Sequence, residues 1–305
     1  MPTVIEKLSL DFLGNNFYIK RDDLFPFSFG GNKARKGLKF FEHILEGGYN
    51  AVATYGSGSS NHCRIVANLA AKYGMPCYIV SPEEDYHETN NSRMVSSFGA
   101  KIIMAPLDKI SSTIDELMQS LSKEYKPYFI LGGGHGNIGT SAYVEAYDEI
   151  KTFEKEHGIT FDCIFHASGT GTTQAGLVCG AALCGDADRK IVGISIARAN
   201  PRGAQVVEES IREYLDKEGF EGEIPELIFD DGYICGGYGK YDNAVVKTVR
   251  EILIKDGIPL NTTYTGKAFR GMKEYIEKNE IRNKNILFIH TGGTPLFFDD
   301  LGEIL

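Results

Sequence analysis

Glycine clusters that follow short apolar runs are the feature of this sequence that most restricts its fold. The chain has 35 glycines. Most clusters come directly after a run rich in apolar and β-branched residues: AVATY before 56–58, YFIL before 132–134, CIFHA before 169–171 and ILFIHT before 292–293. Such runs are typical of buried strands. Helical patterns, such as HCRIVANLAAKYG and TQAGLVCGAALCG, follow several of them. The alternation predicts an α/β fold with a mainly parallel sheet flanked by helices.

The glycine loops come where the predicted strands end. Ligands of open parallel sheets bind beyond the carboxyl ends of the strands, so these loops predict a ligand site. A second series of strands begins after about residue 150, and the length of 305 residues allows two domains or one large domain.

Charge and hydropathy exclude several classes of protein. Lys and Arg total 32 against 41 Asp and Glu, a net charge of −9, whereas nucleic-acid-binding proteins normally carry a basic surface. No apolar run approaches the ~18 residues of a membrane span. The first residues, MPTVIEKLSLDF, lack the basic and apolar regions of a signal peptide. We therefore expect a cytoplasmic protein that binds neither nucleic acid nor membrane.

The six cysteines form no CxxC pair, and no group of Cys and His has zinc-finger spacing. Cys77 in MPCYIV and Cys163 in FDCIF lie among apolar residues. We expect buried, reduced thiols and no metal site.

The first chemical motif is SFGGNKARK, residues 28–36, in which Lys33 stands at a predicted loop-to-helix junction. A lysine that is desolvated, or near the positive end of a helix, loses its proton more easily. Its neutral amine is the nucleophile that a Schiff base needs. An ordinary solvated lysine at a helix start is the alternative.

The second motif is YGSGSSNHCR, residues 55–64, another predicted strand, glycine-serine turn and helix start. Its backbone N–H groups suit an anion, the Ser60 hydroxyl suits acid/base chemistry, and the Asn61 amide can bind a ring oxygen. The alternative is a simple helix N-cap, which Ser and Asn also favour.

The third motif is ASGTGTTQAG, residues 167–176. It lacks the Lys of a P-loop and the G-x-G-x-x-G spacing of a dinucleotide site. Its small residues and several hydroxyls suit a lone phosphate monoester. A tight strand-to-helix turn without a ligand is the alternative.

Considered together, these motifs provide a nucleophilic lysine, an anion-binding turn and a separate phosphate loop, as pyridoxal phosphate chemistry requires. Eight motifs occur in order: KRDDL, GGNKARK, SSNH, GGGHGNIGTSAY, GTGTTQAGL, GGYG, YTGKA and HTGGTPLF. In them the chain resembles, over almost its whole length, the D-cysteine desulfhydrase / 1-aminocyclopropane-1-carboxylate deaminase family. This family belongs to the tryptophan synthase β-like, fold type II pyridoxal phosphate enzymes.

The resemblance implies which residues bind pyridoxal 5'-phosphate. Lys33 would bind it covalently, Asn61 would bind its ring hydroxyl oxygen, and Thr265 would approach its pyridine nitrogen. Tyr264 would flank it as a catalytic residue. The phosphate would be held by Gly169, Thr170, Gly171, Thr172 and Thr173.

The resemblance also implies a site for a small amino-acid substrate. Ser60 would face the substrate as a catalytic residue. The N–H groups around Ser60, Asn61 and His62 would hold the substrate carboxylate, and Tyr238 would line the substrate pocket.

Thr265 bears most directly on the choice between the two activities of the family. By resemblance, the deaminase branch of the family has a Tyr-Glu pair at this position, and the Glu carboxylate keeps the pyridine nitrogen of the cofactor protonated. This chain has Tyr264-Thr265 instead. A hydroxyl supplies no charge, so the cofactor is a weaker electron sink. We therefore expect a carbon-sulfur lyase that resembles D-cysteine desulfhydrase and releases pyruvate, ammonia and sulfide. Lys33 or Ser60 would remove the α-proton.

Several alternatives stay open. The family commonly has Gln where this chain has Ser59, and Pro-Gly-Tyr-Gly where it has GGYG at 236–239. A smaller Ser59 can admit a bulkier substrate, or indicate a biosynthetic lyase or β-replacement enzyme. Cyclopropane deamination and racemisation are further fold type II reactions. A non-catalytic pyridoxal phosphate sensor would not need Ser60 or Tyr264, and a nicotinamide-dependent oxidoreductase would leave Lys33 without a role.

The resemblance implies two domains, each with a mainly parallel sheet. A large domain, 1–45 plus 149–305, binds pyridoxal phosphate, and a small α/β domain, 46–148, is inserted into it. A homodimer is also implied.

Overall fold

The computed structural model describes residues 2–84 and 87–305. The chain divides into two compact units. The large unit comprises Met1–Asn32 and Thr140–Leu305, and the small unit comprises Lys33–Gly139. Compared with the limits implied by the family, the small unit begins with the first helix rather than after it. The reason is packing: a Cβ atom at Gly37 in this helix would lie 2.6 Å from Ile65 and 2.9 Å from Leu69.

The described part of the large unit has one six-stranded sheet. In spatial order its strands are β1 (Ile5–Lys7), β2 (Asn16–Lys20), β10 (Asn285–Ile289), β7 (Cys163–Ser168), β8 (Lys190–Ser195) and β9 (Ile228–Asp230). The edge strand β1 is antiparallel to β2, and every other pairing is parallel. This confirms the α/β class and the mainly parallel sheet.

Helices flank both faces of this sheet. They are α5 (Asn137–His157), α6 (Thr172–Leu183), α7 (Arg202–Lys217), α8 (Asn243–Asp256), α9 (Thr265–Lys278), α10 (Thr294–Asp299) and α11 (Leu301–Ile304). Because side chains alternate along a strand, Ile286 and Phe288 of β10 pack into the core that α8 and α9 cover. Leu287 and Ile289 pack into the core formed with α5, α6 and α7.

Strands of the small unit form an all-parallel, four-stranded sheet among its described residues. In spatial order they are β5 (Lys101–Ala105), β4 (Cys77–Pro82), β3 (Ala51–Tyr55) and β6 (Pro127–Ile130). The helices are α1 (Asn32–Glu46), α2 (Asn61–Lys72), α3 (Asn90–Ser97) and α4 (Ile110–Leu121). In neither unit is a described helix long and apolar enough to cross a membrane.

Candidate cofactor and substrate site

Lys33 is the second residue of α1, as the junction of loop and helix predicts. Its Nζ atom donates a hydrogen bond to the carbonyl oxygen of Gly133 at 2.8 Å. Lys36, one turn later, is wholly buried, and desolvation, reinforced by the charge of Lys33, holds the pKa of Lys36 well below its ordinary value. Burial thus makes the Lys36 ammonium easier to deprotonate than a solvated lysine.

Ser60 is the N-cap of α2, because its Oγ atom accepts a hydrogen bond from the N–H of Cys63 at 3.2 Å. Ser60 therefore acts as the helix N-cap through one lone pair of its hydroxyl oxygen. The hydroxyl proton is not used in the cap, so Ser60 keeps a donor that can point to a ligand.

Asn61, the first residue of α2, is nearly buried with a fixed amide. Its Oδ1 atom accepts hydrogen bonds from Asn91 Nδ2 at 3.0 Å and from Arg64 Nη2 at 3.4 Å. Asn91 Nδ2 also donates to the carbonyl of Ser59. Both partners of Asn61 are donors, so its NH₂ group is left to donate elsewhere. The sequence does not indicate that Asn91 contacts Asn61, because the two residues are thirty positions apart.

His62 is held as a neutral imidazole of one tautomer. Its Nε2 atom lies 2.8 Å from Thr54 Oγ1, which donates its only proton to the carbonyl of Ile130 at 2.7 Å. Thr54 must therefore accept from Nε2–H, which leaves Nδ1 unprotonated. Burial first, and then the charges of Lys33 and Lys36, hold the pKa of His62 well below 6.5.

The predicted phosphate loop joins β7 to α6 in the large unit. Gly171 is the N-cap of α6 with φ +93°, and a Cβ atom there would lie 3.2 Å from Val207. Thr172 and Thr173 are buried, and Thr173 Oγ1 accepts from Asn32 Nδ2 at 3.0 Å. The loop thus combines glycine backbone, hydroxyl groups and the start of a 12-residue helix, a combination that suits a phosphate group.

Thr265 is the first residue of α9 and is wholly buried. Its Oγ1 atom accepts two hydrogen bonds from Asn261, from the backbone N–H at 2.9 Å and from Nδ2 at 3.0 Å. The Asn261 amide cannot be turned round, because its Oδ1 accepts from the N–H of Tyr264 and its Nδ2 also donates to the carbonyl of Gly292. Both lone pairs of the Thr265 hydroxyl are used, so this group can only donate to a ligand.

Tyr238 and Tyr264 meet through their hydroxyl groups, whose oxygen atoms are 2.5 Å apart. The two rings are in an edge-to-face arrangement with centroids 5.8 Å apart. Tyr238 belongs to a glycine-rich loop, and Tyr264 is the N-cap of α9. One phenol donates to the other, and either oxygen can be the donor.

Each unit thus contains its own group of predicted site residues. Lys33, Ser60, Asn61 and His62 lie in the small unit. The large unit contains the loop 169–173 together with Tyr238, Tyr264 and Thr265. No sequence motif indicates Thr54, Asn91 and Asn261, which orient these side chains, although Asn261 stands only four residues before Thr265.

The residues present fit pyridoxal 5'-phosphate by their donor chemistry. The small unit offers a lysine amine and the free NH₂ group of Asn61. The large unit offers a glycine-rich helix start and a hydroxyl that can only donate. No group of three or more His, Cys, Asp or Glu that could hold a metal occurs in the described residues.

Comparisons with known proteins agree with this chemistry. The family described as pyridoxal-phosphate dependent enzymes matches residues 2–292. A putative 1-aminocyclopropane-1-carboxylate deaminase of Pyrococcus abyssi is 32% identical over 298 residues, covering 96% of this chain and 89% of the relative. A D-cysteine desulfhydrase of Yersinia pestis is 31% identical over 308 residues, covering 97% and 92%.

Among solved structures, a crystal structure of an ACC deaminase homologue has a TM-score of 0.88 and 31% identity, covering 100% of this chain and 94% of the other. O-acetyl serine sulfhydrylase isoform 3 of Entamoeba histolytica has a TM-score of 0.67 at 18% identity, covering 99% and 89%, and supports the fold alone. The chain therefore belongs to the pyridoxal-phosphate dependent enzymes, in the group of D-cysteine desulfhydrase and 1-aminocyclopropane-1-carboxylate deaminase, with pyridoxal 5'-phosphate as cofactor.

Proposed function

We propose that this enzyme is a carbon-sulfur lyase that eliminates the β substituent of a small amino acid, with D-cysteine as the preferred type of substrate. The observation that carries the proposal is the hydroxyl of Thr265, both of whose lone pairs accept from Asn261.

The direction of the Thr265 hydrogen bond selects the reaction. When bound, pyridoxal phosphate supplies an electron sink, and this sink is deepest when the ring nitrogen is protonated. A hydroxyl that only donates stabilises an unprotonated nitrogen and provides no counter-charge for a protonated one. Elimination needs a shallower sink than ring opening, because the leaving thiolate takes the electron pair. Thr265 therefore favours elimination over opening of a cyclopropane.

We assign the cofactor contacts residue by residue. Lys33 binds the aldehyde carbon through Nζ, and the NH₂ group of Asn61 donates to the ring hydroxyl oxygen. The backbone N–H groups of Gly169, Thr170, Gly171, Thr172 and Thr173 hold the phosphate. The fixed amide of Asn61 and the positive φ of Gly171 support these roles.

We assign substrate binding to the first turn of α2 and to the tyrosine pair. The N–H groups around Ser60, Asn61 and His62 hold the carboxylate, where the helix N-terminus favours an anion. Neutral His62 adds no charge at this turn. Tyr238 lines the substrate site, and Tyr264 flanks the cofactor, where its phenol is placed to return a proton to the departing group.

The proposed reaction balances without an oxidant or reductant. Lys33 Nζ or Ser60 Oγ removes the proton from the α-carbon. The bond between the β-carbon and sulfur breaks, and sulfur leaves with both electrons. Tyr264 returns a proton to it. With one water, cysteine then gives pyruvate, ammonia and hydrogen sulfide.

The purified holoenzyme should be given D-cysteine, L-cysteine, D-serine and 1-aminocyclopropane-1-carboxylate separately, with sulfide, ammonia and the oxo acid measured. We expect sulfide and pyruvate in equal amounts from D-cysteine, at the highest kcat/KM of the four. Faster release of 2-oxobutanoate from the cyclopropane acid would instead make the enzyme a deaminase. A spectral change without any product would indicate β-replacement or a sensor.

A further inference from the structure

Lys267 is a wholly buried cation whose charge is solvated by backbone carbonyl groups. It lies in the first turn of α9. Its Nζ atom donates to the carbonyl oxygens of Ile196 at 3.0 Å, Ile234 at 2.9 Å and Gly237 at 2.8 Å. An ammonium has three N–H donors, so every one of them is used.

No carboxylate forms an ion pair with Lys267 within 4.0 Å among the described residues. Burial lowers the pKa of Lys267, and only the more distant groups of Cys235 and Asp242 oppose this effect. A buried charge without a counter-ion is costly unless it is fully hydrogen-bonded. The carbonyl dipoles meet that requirement here, as backbone carbonyls do for bare alkali cations.

The three carbonyls connect separate segments. Ile196 directly follows β8, and Ile234 and Gly237 belong to the loop between β9 and α8. In this loop Gly236, Gly237 and Gly239 all have positive φ. A Cβ atom added at any of the three would meet nothing within 4 Å. Side-chain packing therefore does not impose the conformation of these three glycines, and the bonds to Lys267 hold the backbone on either side of Gly236.

The same loop carries Tyr238, directly after Gly237. Tyr264 stands three residues before Lys267 at the start of α9. Lys267 therefore ties the loop to the same helical turn that presents Tyr264. The phenolic oxygens of these two tyrosines lie 2.5 Å apart.

We propose that Lys267 acts as a built-in monovalent cation that positions the loop of Tyr238 against Tyr264. Lys267 is a positioning residue, since it reaches the substrate only through Tyr238. The functional part of this inference rests on the proposed role of Tyr238, whereas the cation site itself does not.

The first test measures cation binding rather than activity. Lys267→Ala removes the ammonium and leaves three carbonyl oxygens directed at one point. Crystals of this variant soaked in rubidium chloride should show anomalous density among the oxygens of Ile196, Ile234 and Gly237. Potassium should raise its Tm above that in tetramethylammonium chloride of equal ionic strength, and the wild type should show neither effect. The proposal would be overturned if no anomalous density appeared among these three oxygens and the Tm values in the two salts were equal.

The second test measures the KM and kcat of the holoenzyme. Lys267→Ala should lose kcat/KM by about tenfold to a hundredfold, the order expected for a misplaced group, mainly through KM. Potassium should restore part of the loss. Lys267→Met is the matched control, since its apolar chain fills the space without a charge: it should lose activity and gain nothing from potassium. Wild-type KM in Lys267→Met would contradict the proposal.

The wild type allows a third measurement, in case neither variant folds. In enzyme labelled with ¹⁵N-lysine, two ammonium groups should show protons protected from exchange with water, those of Lys267 and of the buried, ion-paired Lys20. Fewer than two would overturn the proposal. If the wild type eliminates no sulfide, the proposed function fails, while the rubidium and exchange measurements still decide the cation site.

Discussion

The Nζ atom of Lys33 donates to the carbonyl of Gly133, so the proposed nucleophile of α1 is held by the turn that follows β6. Gly133 has φ +72°, in the region that favours glycine. The hydrogen bond to this carbonyl orients the amine, which must lose its proton to act as a nucleophile.

Lys33→Ala should abolish the visible absorbance of the lysine-bound cofactor and all elimination activity, because Lys33 is the proposed point of covalent attachment. Lys39→Ala is the matched control, since Lys39 lies on the same helix with its side chain partly exposed. It should keep both the spectrum and the activity. A retained visible band in Lys33→Ala would refute the assignment of the cofactor lysine.

Two replacements of Thr265 distinguish the effect of its hydroxyl group from the effect of its side-chain shape. Thr265→Val leaves two buried donors of Asn261 without an acceptor, at a cost of about 1–3 kcal/mol in the free energy of unfolding. It also removes the donor to the ring nitrogen, and we expect kcat/KM to fall by about tenfold, the value of one hydrogen bond near 1.4 kcal/mol. Thr265→Ser should keep most of the free energy of unfolding, measured by urea unfolding, and most of kcat/KM, measured by sulfide release. Equal losses in the two variants would contradict the role of the hydroxyl.

The buried histidines should make the enzyme less stable in mild acid. Burial is the main cause that lowers the pKa of both His62 and His290 from 6.5. Below about pH 6.5 these two histidines are protonated in the unfolded chain but remain neutral in the folded chain. The free energy of unfolding therefore falls as the pH falls. The slope approaches about 1.4 kcal/mol per pH unit for each histidine.

Urea unfolding of the holoenzyme between pH 7.5 and 5.5 measures this slope. His62→Gln should reduce it by the share of one histidine, because the Gln amide can still donate to Thr54 without titrating. His62→Gln/His290→Gln should reduce it further. An unchanged slope in the double variant would show that other groups cause the acid sensitivity.

Local patterns in the sequence predict much of the fold and part of the site. The run CIFHA and the motif GTGTT predict a buried strand and a helix start, and both are found in β7 and α6. Lys33 stands at a loop-to-helix junction, as predicted. These features depend on residues within a few positions of each other. The edge strands β1 and β9 have three residues each, too few for a repeating pattern.

Long-range hydrogen bonds account for the features that the sequence does not reveal. Asn91 orients Asn61 from thirty residues away, and the carbonyls of Ile196 and Gly237 reach Lys267 across 71 and 30 residues. Backbone carbonyls are the same in every residue type, so no side-chain pattern indicates which of them will converge. For this reason Lys267 is visible in the sequence only as one letter of the YTGKA motif.

Glycines inside α6 should be essential for packing against α5. A Cβ atom at Gly176 would lie 2.4 Å from the carbonyl oxygen of Thr140 and 2.4 Å from Tyr143 Cβ, so Gly176→Ala must displace a helix. Such overpacking typically costs about 1–3 kcal/mol, measured by urea unfolding of the holoenzyme. Gly302→Ala in α11 is the matched control: nothing lies within 4 Å of its added Cβ atom, and its φ is not positive. It should leave stability unchanged or raise it by up to about 1 kcal/mol. Equal stability of the two variants would mean that α5 and α6 separate at little cost.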